Sequence, residues 1–155
     1  MAGRLRDEIR QTRPFTSPEH EAYLSLGRTW AVLDHAAAEA FKPYGITPTQ
    51  YNVLRILRGA GEPGLCRAEV MERMVAQVPD ATRLLDRMET AGLIRRERAS
   101  TDRRFVTTHI TPVGLALLAE LDEPVRALHR RHLTALSRAE VDTLIDLLER
   151  IRGAA

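Results

Sequence analysis

The sequence has little of what disulfide-rich secreted proteins and membrane proteins depend on. Its 155 residues contain one cysteine, so no disulfide can form within the chain, which is typical of a protein from a reducing compartment. No apolar run approaches the roughly 20 residues that a membrane helix needs. Residues 1–14 are charged and lack the apolar stretch of a signal peptide. These absences predict a soluble, cytoplasmic protein without a membrane partner.

Patterns that carry catalysis or bind cofactors are also missing. Gly59, Gly61 and Gly64 lack both the lysine of a P-loop and the spacing of a dinucleotide-binding fold. No serine, cysteine and histidine stand in an order typical of a catalytic nucleophile. His129 and His132 are three residues apart, but no cysteine or carboxylate pattern near them completes a metal site. We therefore expect no enzyme activity, no cofactor and no metal, with the histidines on a polar or interface surface.

What the chain does contain is an amphipathic helix with clear ends. From residue 81 the apolar side chains recur at a spacing of three and four, which buries one face of a helix. Pro79 suits a first helical position and Gly92 suits a left-handed cap, so the pattern predicts a helix over about residues 79–91. Asp80 in the first turn is expected to cap this helix rather than to read bases. The apolar positions are Ala81, Leu84, Leu85 and Met88, and the polar face carries Thr82, Arg83, Asp86 and Arg87.

The period changes after Gly92 from that of a helix to that of a strand. Two β-prone runs, 93–98 and 105–110, flank a short polar turn and predict a hairpin. Seven arginines and four acidic residues lie between Arg83 and Arg104, a local net charge of +3, whereas the whole chain carries +2. Positive charge is thus concentrated on this helix and hairpin, as on a surface that neutralises phosphates.

Helix starts divide the rest of the chain. Hydroxyl residues at Ser17, Thr47, Thr111 and Ser137 occupy plausible N-cap positions, and Gln50 and Glu140 follow two of them at the spacing of a capping box. The pattern predicts a long first helix, a second helix, a short third helix over about residues 67–76, and two long helices after the hairpin. The fold class is therefore mainly α with a small β-hairpin wing, a winged helix-turn-helix with long terminal helices.

This order of elements resembles the MarR (multiple antibiotic resistance regulator) family of winged-helix transcription factors over roughly residues 17–152. Its wing pattern is D-x-R, three residues, then V-x-L-T. Asp102, Arg104 and Thr111 match it, Ile110 replaces leucine, and Thr108 stands where valine is usual. The other matching motifs are Thr82-Arg83-Leu84-Leu85-Asp86-Arg87-Met88-Glu89, Gly92-Leu93-Ile94-Arg95-Arg96 and Thr47-Pro48-Thr49-Gln50-Tyr51-Asn52-Val53-Leu54.

The resemblance implies a single MarR-like domain, 1–155, that binds double-stranded DNA. Residues of about 47–110 would form the DNA-binding lobe, and those of about 1–45 and 111–155 the dimerisation helices of a homodimer. The helix at residues 79–91 would enter the major groove and the wing an adjacent minor groove, with Asp102 orienting Arg104. The expected DNA contacts are Thr82, Arg83, Asp86, Arg87, Arg103 and Arg104.

The resemblance also implies a small aromatic effector, since family members commonly bind aromatic acids between the dimer helices and the DNA-binding lobe. Trp30, His35 and Tyr51 are the candidates for this ligand site. The function expected is that of a repressor that binds a palindromic operator and is released by the effector. Two alternatives stay open: a winged helix that binds an acidic protein partner, and a redox-responsive regulator that uses Cys66.

Overall fold

The computed structural model describes residues 5–98 and 106–154, which form two compact units divided between Glu39 and Ala40. The first unit contains the short helix α1, Leu5–Glu8, and nearly all of α2, Pro18–Phe41. In this unit Leu5 is buried, and the Arg6 guanidinium donates to the backbone oxygens of Gln11 and Thr12. The turn that leads into α2 is held by the Ser17 hydroxyl, which accepts from the backbone N–H of His20.

In its described residues the second unit contains five α-helices and a three-stranded sheet, in agreement with the fold class predicted above. In chain order the elements after the 3-10 turn Lys42–Tyr44 are α3 Pro48–Ala60, β1 Leu65–Cys66, α4 Arg67–Glu72, α5 Ala81–Thr90, β2 Ile94–Arg98, β3 Val106–Ile110, α6 Pro112–Leu133 and α7 Arg138–Gly153. The antiparallel strand order is β1-β3-β2, and in the wing hairpin Ile94 pairs with Ile110 and Arg98 with Val106.

The helix starts that the sequence predicts are confirmed by side-chain caps. Thr47 and Gln50 form a complete capping box at the start of α3, and Ser137 and Glu140 form another at α7. The Thr111 hydroxyl accepts from the backbone N–H of Gly114 at the start of α6. These caps satisfy N–H groups that have no partner inside a helix, so local sequence decides where each helix begins.

Two helix boundaries differ from the prediction. Helix α5 begins at Ala81, two residues later than expected, because the Asp80 carboxylate accepts from the backbone N–H of Arg83 and makes Asp80 the N-cap. Helix α4 ends at Glu72, earlier than the predicted residue 76, and the chain turns after it. The Asn52 carboxamide oxygen on α3 accepts from the backbone N–H of Val75 and holds that turn.

Strand β1 was not predicted, because two residues are too few to show a period. It starts after Gly64, whose φ of +62° lies in the left-handed region that glycine adopts readily. A Cβ at Gly64 would also lie 2.6 Å from the His109 ring on β3. The β1 connection is therefore a tertiary feature that brings α4 against the sheet.

The core of the second unit lies among α3, α4, α5, α6 and the sheet. Fully buried side chains come from each of these elements, which fixes α5 and the wing hairpin on one framework. They include Leu54, Leu57, Val70, Leu85, Met88, Ile94, Leu118 and Leu121.

Close packing at the start of α6 predicts that Gly114→Ala destabilises the protein. A Cβ there would overlap the backbone oxygen of Leu93 and lie 2.9 Å from the Ile110 side chain. We expect the free energy of unfolding to fall by about 1–3 kcal/mol in urea titration, as overpacked cores do. The control is Gly59→Ala on α3, where a Cβ meets nothing within 4 Å and about 0.5–1 kcal/mol of stabilisation is expected. Equal stability of the two variants would contradict the packing described at Gly114.

Candidate nucleic-acid interface

Helix α5 presents two arginines on its exposed face. Leu84, Leu85 and Met88 are buried beneath them, so the amphipathic pattern turns Arg83 and Arg87 to solvent. The Arg87 Nε donates to the backbone oxygen of Arg83, 3.3 Å away. Within the described residues, neither guanidinium forms an ion pair. Both therefore keep donors for phosphate oxygens or for the O6 and N7 acceptors of guanine.

Thr82 lies beside these arginines and is held from the neighbouring helix. Arg67 at the start of α4 donates from Nη1 to the Thr82 hydroxyl oxygen at 3.0 Å. This contact ties the first helical turn of α5 to α4, the two helices of the helix-turn-helix. Sequence reasoning did not select Arg67 for this surface, because the period of one helix says nothing about side chains that meet from another.

Asp86, predicted as a DNA contact, forms an ion pair with Arg96 on β2. Arg96 Nη2 lies 2.6 Å from Asp86 Oδ1, and the same guanidinium forms an ion pair with Glu89, about one turn further along α5. Arg96 Nε donates to Glu89 Oε2 at 2.8 Å, and the Arg96 backbone N–H donates to Oε1 at 2.9 Å. Glu89 and Arg96 were not among the predicted site residues, although both belong to the motifs that carry the family resemblance.

Asp86, Glu89 and Arg96 form a charged cluster, and its hydrogen bonds shift the pKa values of Glu89 and Arg96. Bonding to Arg96 holds the pKa of Glu89 below its ordinary value, because the carboxylate is stabilised by the guanidinium. The bond to Glu89 likewise raises the pKa of Arg96. Glu89 and Arg96 are therefore both charged at neutral pH.

The wing is described only in its two strands. Arg95 and Glu97 pair along β2, and Arg98 is exposed at the strand end. The predicted wing residues Asp102, Arg103 and Arg104 lie outside the described residues. The hairpin register pairs Arg98 with Val106, the last described residue of β2 and the first of β3.

A bidentate ion pair connects α3 to α6. Arg58 Nη1 lies 3.1 Å from Asp122 Oδ2, and Arg58 Nη2 lies 3.2 Å from Oδ1. The Arg58 hydrogen bonds lower the pKa of Asp122. This pair joins the framework that carries α5 to the long helix that follows the wing.

The predicted ligand residues occupy different surroundings. Trp30 and His35 are exposed on α2, with 55% of Trp30 accessible. Tyr51 on α3 is half-buried, stacks on Phe41 with ring centroids 4.7 Å apart, and accepts from Arg55 through its hydroxyl.

Cys66 and the histidines form no obvious reactive centre in the described part of the chain. Half-buried Cys66 is the N-cap of α4, and its backbone N–H donates to Glu69 Oε2 at 2.7 Å, which lowers the pKa of Glu69. Within residues 5–98 and 106–154 no three histidine, cysteine or acidic side chains converge as metal ligands. The same residues contain no helix that is long and apolar enough to cross a membrane.

Comparison with known proteins gives the family of this fold. The MarR family model matches residues 44–104. A transcriptional regulatory protein named for the hcr operon of Thauera aromatica is 34% identical over 107 residues, which are 69% of this chain and 63% of that protein. The chain thus spans a little under two thirds of that relative's length.

Solved structures extend the likeness over most of the chain. A MarR transcription factor from Planctomyces limnophilus is 39% identical, covers 88% of this chain and 98% of its own, and superposes with a TM-score of 0.68. At 20% identity the fold alone is shared with S. aureus MepR in its DNA complex, with a TM-score of 0.78 and coverage of 86% and 98%. It is also shared with Bordetella bronchiseptica BpsR, whose DNA binding is regulated by 6-hydroxynicotinic acid, with a TM-score of 0.76 and coverage of 85% and 98%.

The matched family model covers α3, the helix-turn-helix and the first strand of the wing, and so includes the helix that carries Arg83 and Arg87. The relatives are transcriptional regulators rather than enzymes. The chain belongs to the MarR family of transcriptional regulators and contains that family's DNA-binding winged helix.

Proposed function

We propose that this protein is a repressor that binds a palindromic operator as a homodimer and acts in the cytoplasm. The observation that carries the proposal is the exposed pair Arg83 and Arg87 on α5, free of ion pairs within the described residues and adjacent to the wing hairpin. An α-helix fits into the major groove, and guanidinium groups on it can bond to the two acceptors that guanine presents there. Thr82 and Asp86 lie on the same helix, and Arg103 and Arg104, oriented by Asp102, would extend the contact into the minor groove.

A homodimer is supported by apolar side chains that the long helices leave exposed. Tyr23, Leu26 and Trp30 recur along α2 at helical spacing, and Leu147 and Ile151 do so on α7. None of the α7 side chains is buried. Exposed apolar stripes on both terminal helices would be covered by a second copy, and two copies would read two half-sites one DNA turn apart.

Salt dependence of binding to the gene's own upstream DNA tests the function. We expect the logarithm of the affinity to fall linearly with the logarithm of salt, by about 0.9 for each phosphate contact. An inverted repeat in the bound fragment is expected, with much weaker binding once one half-site is scrambled. The competing function, capture of an acidic protein, predicts instead that polyglutamate binds as tightly as this duplex and competes with it.

We further propose that a small aromatic compound releases the DNA by changing the spacing of the two recognition helices. Two copies of α5 fit successive major grooves only at about 34–36 Å. A ligand that stabilises a dimer with a different helix spacing by about 1–3 kcal/mol weakens DNA binding roughly 5- to 150-fold. The proposed ligand residues are Trp30 and His35, which are exposed, and Tyr51, which is half-buried, because aromatic rings and hydrogen-bonding groups suit an aromatic carboxylate or phenol.

Titration of aromatic carboxylates and phenols against the labelled operator complex tests this switch. We expect release of DNA together with quenching of Trp30, the single tryptophan of the chain. Trp30→Phe and Tyr51→Phe should each reduce ligand potency, whereas the control Tyr23→Phe, also exposed on α2, should not. Unchanged potency in both test variants would refute the assigned ligand residues. Release by oxidation of Cys66, with no compound acting, would favour the redox alternative.

A further inference from the structure

Helix α5 by itself carries no net charge. Its residues Ala81–Thr90 include two arginines, Arg83 and Arg87, and two acids, Asp86 and Glu89. Oppositely charged residues three or four apart on a helix lie close enough to pair, and Asp86 follows Arg83 by three. A helix with this composition would be expected to neutralise its own guanidinium groups rather than to offer them to DNA.

The structure shows a different pairing. Asp86 and Glu89 both turn to Arg96 on β2, while Arg83 and Arg87 form no ion pair within residues 5–98 and 106–154. The Arg96 side chain is 27% exposed, and its backbone N–H also bonds to Glu89. One residue of the wing strand thus engages both carboxylates of the neighbouring helix.

The cluster joins two elements that would bind different grooves. Helix α5 packs against β2, and the three hydrogen bonds from Arg96 to Glu89 cross that contact. Hydrogen bonds between charged groups are shorter and stronger than neutral ones, so they restrain the angle between helix and strand.

We infer that Arg96 is a positioning residue that keeps Asp86 and Glu89 away from Arg83 and Arg87, so that the two arginines stay free for DNA. The inference rests on the proposed DNA-binding surface. Without Arg96, Asp86 becomes available to pair with Arg83, and one phosphate or base contact is weakened. The charge of Arg96 acts through this pairing and not by touching DNA.

A double-mutant cycle between Arg96 and Asp86 tests the inference, with operator affinity measured over a salt series. We expect Arg96→Ala to lower affinity about tenfold and to reduce the salt slope by up to about one phosphate contact. Adding Asp86→Asn should restore most of that loss. The gain from Asp86→Asn should be several-fold larger in the Arg96→Ala protein than in the native one, which is the signature of coupled residues.

Arg95→Ala is the matched control. It removes the same charge from the neighbouring position of β2, which points to the other face of the strand and pairs with Glu97. We expect a smaller loss of affinity and no coupling to Asp86. Should Arg96→Ala fail to fold, Arg96→Lys replaces it in the same cycle, because lysine keeps the charge but lacks the fork that bridges two carboxylates.

Two outcomes would overturn the inference. Equal gains from Asp86→Asn with and without Arg96 would show that Arg96 acts directly on DNA or only on stability. Native affinity and salt slope in a folded Arg96→Ala protein would show that it has no role in binding. Failure of the native protein to bind any operator would instead refute the proposed function, so the two failures are distinguishable.

Discussion

Replacing Arg83 and Arg87 together by alanine is expected to remove nearly all preference for the operator over random duplex. Each bidentate contact from a guanidinium to guanine gives about 1–3 kcal/mol of discrimination, so losing two corresponds to roughly 30-fold to more than 10⁴-fold. Both side chains are exposed and lie above buried Leu84, Leu85 and Met88, so the change should leave the fold intact. Fluorescence anisotropy with operator and random duplexes at one salt concentration measures the ratio.

The control for this experiment removes the same charge elsewhere. Arg131 on α6 and Arg152 on α7 are exposed, and their joint replacement by alanine lowers the net charge equally. We expect a modest loss on both duplexes and an unchanged operator preference. If the two double variants behaved alike, overall charge rather than contact by α5 would explain binding. If the Arg83 and Arg87 variant retained native preference, the assigned surface would be wrong.

Two carboxylates on the apolar face of α7 are expected to abolish the dimer and, with it, high-affinity operator binding. Leu147 and Ile151 are four residues apart on one face, with 45% and 54% of their surface exposed in the single chain. Leu147→Glu with Ile151→Glu places two charges where a second copy would exclude water, and burying an unpaired charge costs several kcal/mol. A monomer that binds one half-site loses the contribution of the other.

Light scattering together with operator titration measures both effects. The native chain should scatter as twice 17.4 kDa at micromolar concentration, and the variant as a single folded chain. Ala139→Glu is the control, because it adds a carboxylate at an exposed position about 80–120° around α7 from Leu147 and Ile151 and should leave the dimer intact. A native protein that remains a folded monomer of 17.4 kDa would contradict the homodimer, and a dimeric double variant would place the interface elsewhere.

Most helix boundaries could be predicted from the sequence, because they depend on side chains a few residues apart. Thr47 with Gln50 and Ser137 with Glu140 cap their own helices through contacts three residues apart. The apolar period of Leu84, Leu85 and Met88 selected the face of α5 that is buried, and hence the exposed pair Arg83 and Arg87. Gly92, with a φ of +72°, follows the C-cap of α5 as predicted.

The partners of the charged side chains were decided only in the tertiary structure. The DNA contact predicted for Asp86 stays a prediction, and what the helix pattern could not show is that β2 brings Arg96 to this carboxylate. Arg58 and Asp122 are 64 positions apart and meet because α3 packs on α6. The early end of α4 likewise depends on Asn52 from another helix. Helix caps and apolar periods depend on residues a few positions apart and can therefore be predicted from the sequence. An ion pair between two elements depends on how the shared core orients those elements, which only the tertiary structure decides.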